Sequence, residues 1–132
     1  MHWIVARIAW IMLTAGALTC TMVYAVIAPQ AALQSMFGET LEGPLAEIVV
    51  RNWGALVTLM GAMVIYGASH PLSRPLILSV VGLSKLVFIG LVLTHGRPYL
   101  GHQVGVAITI DLVMVALFIA YLIGLRRRQP AA

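Results

Sequence analysis

Charged residues are scarce in this chain of 132 residues: only 9% are charged, whereas 61% are hydrophobic. A soluble domain carries about 25% charged residues, so a bundle of this composition could not cover itself with polar side chains. The net charge of +4 is concentrated in Arg126, Arg127 and Arg128, which leaves no basic face for a nucleic acid. We therefore predict a protein whose solvent is the lipid bilayer and which has no nucleic-acid partner.

Several chemical signatures are also missing. The single cysteine, Cys20, excludes an intrachain disulfide and a cysteine-based metal cluster. Neither a phosphate-binding loop, a dinucleotide fingerprint nor an H-E-x-x-H motif occurs. The 4 histidines fall in loops or at the ends of apolar segments, where they are poorly placed to hold a haem between helices: His2, His70, His95 and His102. We expect no metal and no cofactor.

Four segments have the length of about 20 apolar residues that a membrane-spanning helix needs. They cover residues 8–28, 44–68, 75–94 and 103–125. The first is longer than the apolar core of a signal peptide, about 7–15 residues, so we expect it to be retained. Because the later connections are short, consecutive helices should be antiparallel neighbours. The predicted fold is all-α: one transmembrane four-helix bundle over residues 1–125, followed by a basic cytoplasmic tail at 126–132.

The first connection is the only long one, and its sequence indicates a short helix. Pro29 suits a first helical position and Gly38 suits a helix end. Between them Leu33, Met36 and Phe37 share one face. We predict a helix lying at the outer membrane interface.

The distribution of basic residues predicts the orientation. Both termini and the second loop share one side, which holds Arg7, Arg74 and the three C-terminal arginines. We place this side in the cytoplasm of a bacterium and the chain in its inner membrane.

Two opposite charges lie deep inside spans. Lys85 lies roughly 13 Å below the outer end of the third span, and Asp111 roughly 12 Å below that of the fourth. Since an unpaired charge at this depth costs about 2.5–3.5 kcal/mol, we predict that they pair. The pair can be purely structural, fixing helix register, or can form a ligand or proton site; the sequence leaves both readings open.

Other polar and small residues recur in the same half of the spans. Gly54, Thr58 and Gly61 form a small-residue stripe, and we expect a second inward stripe of Thr14, Ala17, Thr21 and Tyr24 in the first span. Glu47 precedes Arg51 by one turn, which favours an ion pair. The predicted polar interior contains Thr21, Tyr24, Arg51, Lys85 and Asp111, rimmed by His95, Arg97 and His102.

The order of these features resembles a known family. A first span ending in "AP" is followed by a surface helix, then by "VVRNWGALVTLMGAMVIYGA" and by "SRP" before a span carrying a lysine. This is similar to the DoxX-like group of small four-helix bacterial membrane proteins, including the DUF4345 type. The resemblance implies a four-span bundle in the inner membrane and supplies no catalytic residue.

Three functions fit these features. The first is a non-catalytic accessory or scaffold module, acting within a larger membrane complex or as a homo-oligomer. The second is a binding protein or enzyme for an amphiphilic small molecule, a quinone or a lipid, held in a cavity in the outer half. The third and weakest is a small proton-coupled exporter, because the first span contains no acidic residue.

Overall fold

The computed structural model describes residues 2–128, except for the side chains of His2 and Val5, and this part of the chain contains helices and no strand. The helices are α1 (His2–Cys20), α2 (Val23–Ile27), α3 (Pro29–Phe37), α4 (Pro44–Ser69), α5 (Arg74–His95) and α6 (Gln103–Arg128). Single turns of 3₁₀ helix, Pro71–Ser73 and Arg97–Tyr99, precede α5 and α6.

Within residues 2–128, four segments are long and apolar enough to cross a membrane: Ala6–Ile27, Pro44–Ser69, Pro71–His95 and Gln103–Arg128. The first consists of most of α1 together with α2. Around the bundle, α1 packs against α4 and α6, and α5 packs against the same two helices. The predicted all-α four-helix bundle is therefore confirmed.

The last helix is longer than predicted. We expected a separate tail from residue 126, but α6 continues through Arg126, Arg127 and Arg128. Arginine is a good helix former, and cations in a last turn interact favourably with the helix dipole. Residues 129–132 of the predicted tail lie outside the described residues.

The first span is interrupted at Thr21 and Met22, close to its C-terminal end, which the sequence analysis did not anticipate. Between α1 and α2 the amide of Thr21 donates to the Leu18 carbonyl, and that of Met22 donates to the Thr19 carbonyl, both at 3.2 Å. These bonds reach back three residues instead of four. Hydroxyls that bond back to the preceding turn bend helices, and here Thr19 donates to Ala15 and Thr21 donates to Leu18. The break therefore coincides with two threonines that make such bonds.

Glycines bring the first span very close to α4. A Cβ at Gly61 would lie 2.8 Å from the Gly16 carbonyl oxygen and 2.9 Å from the Cys20 amide nitrogen. A Cβ at Gly54 would lie 2.8 Å from the Ala25 Cβ. In lipid, where dispersion replaces the hydrophobic effect between helices, such close backbone contact is a main source of association. The predicted α4 stripe is thus the contact face toward α1 and α2.

The two halves of the bundle are packed differently. In the half nearest the termini, large side chains fill the interior: Met12 is 0% exposed, and Leu78 and Phe118 are each 1% exposed. Ile8 and Tyr121 belong to the same buried cluster. The pocket found in this half, of about 300 Å³, is lined by α5 and α6 alone and contains no charged residue, while the interior toward α1 and α4 is closed by apolar packing.

The other half is covered by α3. Its first residue is Pro29 and it ends at Gly38, which has φ of 73°, a value that favours glycine. Leu33 is buried against Ala25 and Val50, while Phe37 packs on the buried ends of α5 and α6. The apolar face of α3 therefore packs on this end of the bundle.

Candidate functional site

The two membrane-embedded charges meet inside the bundle. The Nζ of Lys85 donates to the Oδ1 of Asp111 across 2.8 Å. Their side chains are only 10% and 17% exposed. Because α5 and α6 are adjacent and antiparallel, residues at similar distances from their connecting loop lie at the same depth, and the pair forms across this helix contact.

A third polar group from the first span completes this arrangement. Thr19, which is 7% exposed, lies with its Oγ1 3.4 Å from the Lys85 Nζ. The same hydroxyl donates to the Ala15 carbonyl at 2.8 Å. Because the Thr19 hydroxyl donates its proton within α1, its oxygen accepts the hydrogen bond from Lys85. The site thus joins α1, α5 and α6.

A cavity of about 430 Å³ adjoins the pair. Small-molecule sites typically have volumes of about 300–1,000 Å³ and mostly apolar walls with a few polar groups. All four spans and α3 contribute to this one. Its polar lining residues are Thr19, Thr21, Ser84, Lys85 and Asp111. Of the lining side chains in the described part of the chain, only Lys85 and Asp111 carry charge.

Methionines and aromatic rings form much of the remaining wall. Of the chain's 7 methionines, four line the cavity, one each from the break after α1, α3, α4 and α6: Met22, Met36, Met60 and Met114. Methionine is flexible and polarisable, so it adapts to the shape of a ligand. Trp53 and Phe88 stand beside each other in the wall, with ring centroids 6.2 Å apart.

Aromatic contacts connect this wall to the two loops at the α3 end of the bundle. Phe37 of α3 lies 6.4 Å from Trp53 and 5.4 Å, edge to face, from Tyr99. The Tyr99 hydroxyl donates to the Glu39 carboxylate at 3.0 Å. This hydrogen bond and the negative charge of Glu39, together with desolvation, raise the pKa of Tyr99 above its ordinary value of 10.0. The contacts attach α3 over the cavity.

The inward face predicted for the first span was wrong for three of its four residues. Thr14, Ala17 and Tyr24 are exposed and do not line the cavity. Thr21 is also exposed, although it reaches the cavity edge, and its hydroxyl donates to Leu18 at 2.6 Å. The buried face of α1 instead contains Ile8, Met12, Ala15, Gly16 and Thr19. Threonine can face lipid here because the preceding turn of its own helix satisfies its hydroxyl.

Arg51 does not join the polar interior either. It donates to the Val26 carbonyl at the end of α2, and within residues 2–128 no ion pair joins it to Glu47. A helix end leaves carbonyls without partners, and a cation there also complements the dipole. The predicted Glu47–Arg51 pair is therefore replaced by a helix cap.

Two further arginines cap helices in the same way. Arg74 donates through Nε to the Gly67 carbonyl at 2.9 Å, and its second guanidinium contact is to Ala68 at the end of α4. Arg97, predicted as part of the rim, donates to the Leu93 carbonyl of α5 at 2.9 Å. Capping thus accounts for Arg51 within α4, Arg74 at the start of α5 and Arg97 in the connection that follows α5.

The predicted histidine rim lies outside the cavity lining. His95 and His102 are exposed, and a ring nitrogen of His95 lies 2.8 Å from the Thr94 hydroxyl. No group of three His, Cys, Asp or Glu side chains within residues 2–128 is arranged to hold a metal ion. Ser84 lines the cavity beside Lys85, but no hydrogen bond joins the two side chains in this part of the chain.

The sequence analysis missed Thr19, the methionines and the two aromatic residues in the wall. For Thr19 a signal was present, because it follows Ile8, Met12 and Ala15 at helical spacing. Trp53 and Phe88 gave none, since aromatic rings are also frequent at membrane interfaces.

No protein family, curated protein or solved structure matches this chain. The similarity to DoxX-like proteins therefore stays a prediction from short motifs. What the fold defines is a multi-pass membrane protein of four apolar helices.

Proposed function

We propose that this protein binds an amphiphilic small molecule, of the quinone or lipid kind, in the cavity beside Lys85 and Asp111. The observation that carries the proposal is the difference between the two halves of one bundle. Large side chains such as Phe118 fill the half nearest the termini, so the fold does not itself require an empty interior. The lining of the cavity is mostly apolar and includes one charged pair, which is the composition typical of a ligand-binding site.

Binding without catalysis fits the side chains best. A nucleophile needs a base within hydrogen-bond reach, and Ser84 and Lys85 do not form such a pair. Intramembrane ionisable residues by default indicate ligand or ion sites, which favours a ligand over a purely structural pair. Proton-coupled export has the least support, because Asp111 is the one acid among the lining residues and it is paired.

The accessory or scaffold role is the second candidate, and the glycines offer it limited support. Gly16, Gly54 and Gly61 are occupied by contacts within the chain. Gly90 and Gly101 have nothing within 4 Å of an added Cβ, so these two positions could still contact another chain. Gentle extraction followed by mass measurement tests this role, which predicts a stoichiometric partner or a second copy.

We also propose that the protein lies in the bacterial inner membrane with both termini in the cytoplasm. Arg7, Arg74 and the C-terminal arginines support this orientation through the positive-inside rule. Single cysteines at Leu72 and at Thr40, in a Cys20→Ala background, place the two ends on opposite sides. An impermeant maleimide added to intact spheroplasts should label position 40 and not 72, and the reverse pattern would overturn the orientation.

The binding proposal is tested by filling the cavity. Ala107 lines the cavity on α6, and Ala116 is an exposed alanine on the same helix. The wild-type protein, Ala107→Phe and Ala116→Phe are purified in mild detergent, and bound amphiphiles are extracted and identified by mass spectrometry. We expect a stoichiometric species with wild type and Ala116→Phe that is lost with Ala107→Phe. Equal retention by both variants, or no such species with wild type, would refute the proposal.

A further inference from the structure

We infer that the cavity accepts an uncharged headgroup able to both donate and accept hydrogen bonds, and that it receives this molecule from the bilayer between α4 and α5. The inference rests on the proposed binding function and specifies its ligand class and access route. It follows from four features: the charge of the lining, its unpartnered hydrogen-bonding groups, the closure of the end under α3 and the exposure of one side of the wall.

The lining favours an uncharged headgroup. Lys85 and Asp111 neutralise each other across 2.8 Å, and the described lining contains no further charge. A charged headgroup would therefore bring an unpaired charge into an apolar cavity, which is strongly unfavourable. An uncharged headgroup adds no such charge.

Hydrogen-bonding groups remain for such a headgroup to use. An ammonium has three donors, and Lys85 directs two of them to Asp111 Oδ1 and Thr19 Oγ1. At the Lys85–Asp111 pair, one N–H of Lys85, the Oδ2 of Asp111 and the hydroxyl of the neighbouring Ser84 have no hydrogen-bond partner within the described residues. A headgroup that donates to Asp111 and accepts from Lys85 satisfies both ions. An alcohol, a carboxamide or an ester with a free hydroxyl has this property.

The route from the nearer aqueous side is covered by α3. Ala32 is 3% exposed and Leu33 is 6% exposed, so this helix is packed firmly on the bundle. Met36 lies in the cavity wall, and Phe37 contacts both Trp53 and Tyr99. A ligand arriving from water would have to displace this packing.

The side between α4 and α5 is open at the same depth. Three lining residues there are half exposed: Leu56 at 50%, Val87 at 56% and Leu91 at 55%. On the opposite side, between α1 and α6, Leu18 is 46% exposed and Ile110 is 37% exposed. In a bilayer the more exposed of these two sides faces lipid tails, so an apolar tail can stay in the hydrocarbon while the headgroup reaches Lys85.

Trp53 provides a reporter inside the cavity. It is one of 3 tryptophans. The other two, Trp3 and Trp10, are 60% and 71% exposed and can be replaced by phenylalanine. The protein is reconstituted in phosphatidylcholine vesicles, and quenching of Trp53 is followed with brominated long-chain probes. Three probes share one chain: an alcohol, an alkyl sulfate and an alkyltrimethylammonium. Quenching that remains in Ala107→Phe is subtracted as the contribution of the surrounding bilayer.

We expect saturable quenching by the alcohol and binding about 100-fold weaker for both charged probes, the ratio that an unpaired membrane-embedded charge implies. Equal binding of a charged probe would overturn the headgroup assignment while leaving the binding function intact. No saturable quenching by any probe, together with no co-purifying amphiphile, would instead refute the binding function itself.

The access route is tested by narrowing it. Val87→Phe places a larger side chain in the opening, and Val80→Phe makes the same change two turns away on α5, outside the cavity lining. Both valines are exposed, so both variants should fold. We expect Val87→Phe to slow quenching by the alcohol about tenfold, the effect of a modest added barrier, and Val80→Phe to leave the rate unchanged. An unchanged rate with Val87→Phe, or slowing only with Leu18→Phe on the opposite side, would overturn the route.

Discussion

The Oγ1 of Thr19 lies 3.4 Å from the Nζ of Lys85, which itself donates to Asp111 at 2.8 Å. A hydroxyl from the first span therefore supplements an ion pair formed between the third and fourth. Moving the two charges out of water into the membrane costs free energy, and each additional polar contact offsets part of that cost.

The Thr19 contact should be measurable. We expect Thr19→Val to lower the free energy of unfolding by about 1 kcal/mol, the usual loss for one hydrogen bond. Thr14→Val is the matched control, because Thr14 is exposed and its hydroxyl donates only to the Trp10 carbonyl. Denaturation in mixed micelles of dodecyl maltoside and dodecyl sulfate provides the measurement. Equal losses of stability for the two variants would show that Thr19 makes no stabilising contact with Lys85.

The glycine contact between α1 and α4 predicts opposite effects for two similar substitutions. Gly61→Ala would place a Cβ against backbone atoms of Gly16 and Cys20, which cannot yield. We expect it to destabilise by about 1–3 kcal/mol, as overpacking does. Gly90→Ala has open space and should be neutral or stabilising by up to about 1 kcal/mol. The same micelle titration compares them, and a neutral Gly61→Ala would contradict the packing described.

The capping role of Arg51 predicts independence from Glu47. We expect Arg51→Met to reduce stability by about 1 kcal/mol, because the end of α2 loses its cap. Glu47→Gln should change little, and the double variant should show no coupling beyond about 0.5 kcal/mol. A larger coupling energy in this double-mutant cycle would show that Glu47 and Arg51 form the ion pair expected from the sequence.

The Tyr99–Glu39 bond predicts a pH dependence in the two loops at the α3 end of the bundle. Because the bond raises the pKa of Tyr99, its stabilising effect is fully present below pH 10, the ordinary value. It is lost as pH rises through the raised value. The absorbance of tyrosinate in wild type minus that in Tyr99→Phe isolates this group. We expect its midpoint above about 10 and lower in Glu39→Gln; a midpoint at or below 10 would show that the bond is not formed.

Much of the fold could be predicted from the sequence because lipid imposes simple rules. Runs of apolar residues gave the four spans, and Pro29 and Gly38 marked the ends of α3 through backbone geometry. Residue counts from the shared loop put Lys85 and Asp111 at one depth, since rise per residue in a helix is constant.

The face of the first span could not be predicted in this way. Both sides of that helix are apolar, so hydropathy does not distinguish the interior from the lipid. Tyr24 follows the break at Thr21 and Met22 and is exposed, while Thr19 precedes the break and faces Lys85. The cavity is the space left between side chains of five helices, so it cannot be predicted from the sequence of any one of them.

The most direct test replaces both charged residues together. Lys85→Met alone, leaving an unpaired carboxylate, should lower stability by about 3–5 kcal/mol, and adding Asp111→Leu should recover much of this. Extraction of bound amphiphile from the same double-variant preparation then separates a structural pair from a binding site. We predict a folded protein, with stability near wild type, that no longer retains the amphiphile. A folded double variant that retains it at the wild-type level would contradict the role of Lys85 and Asp111 in binding.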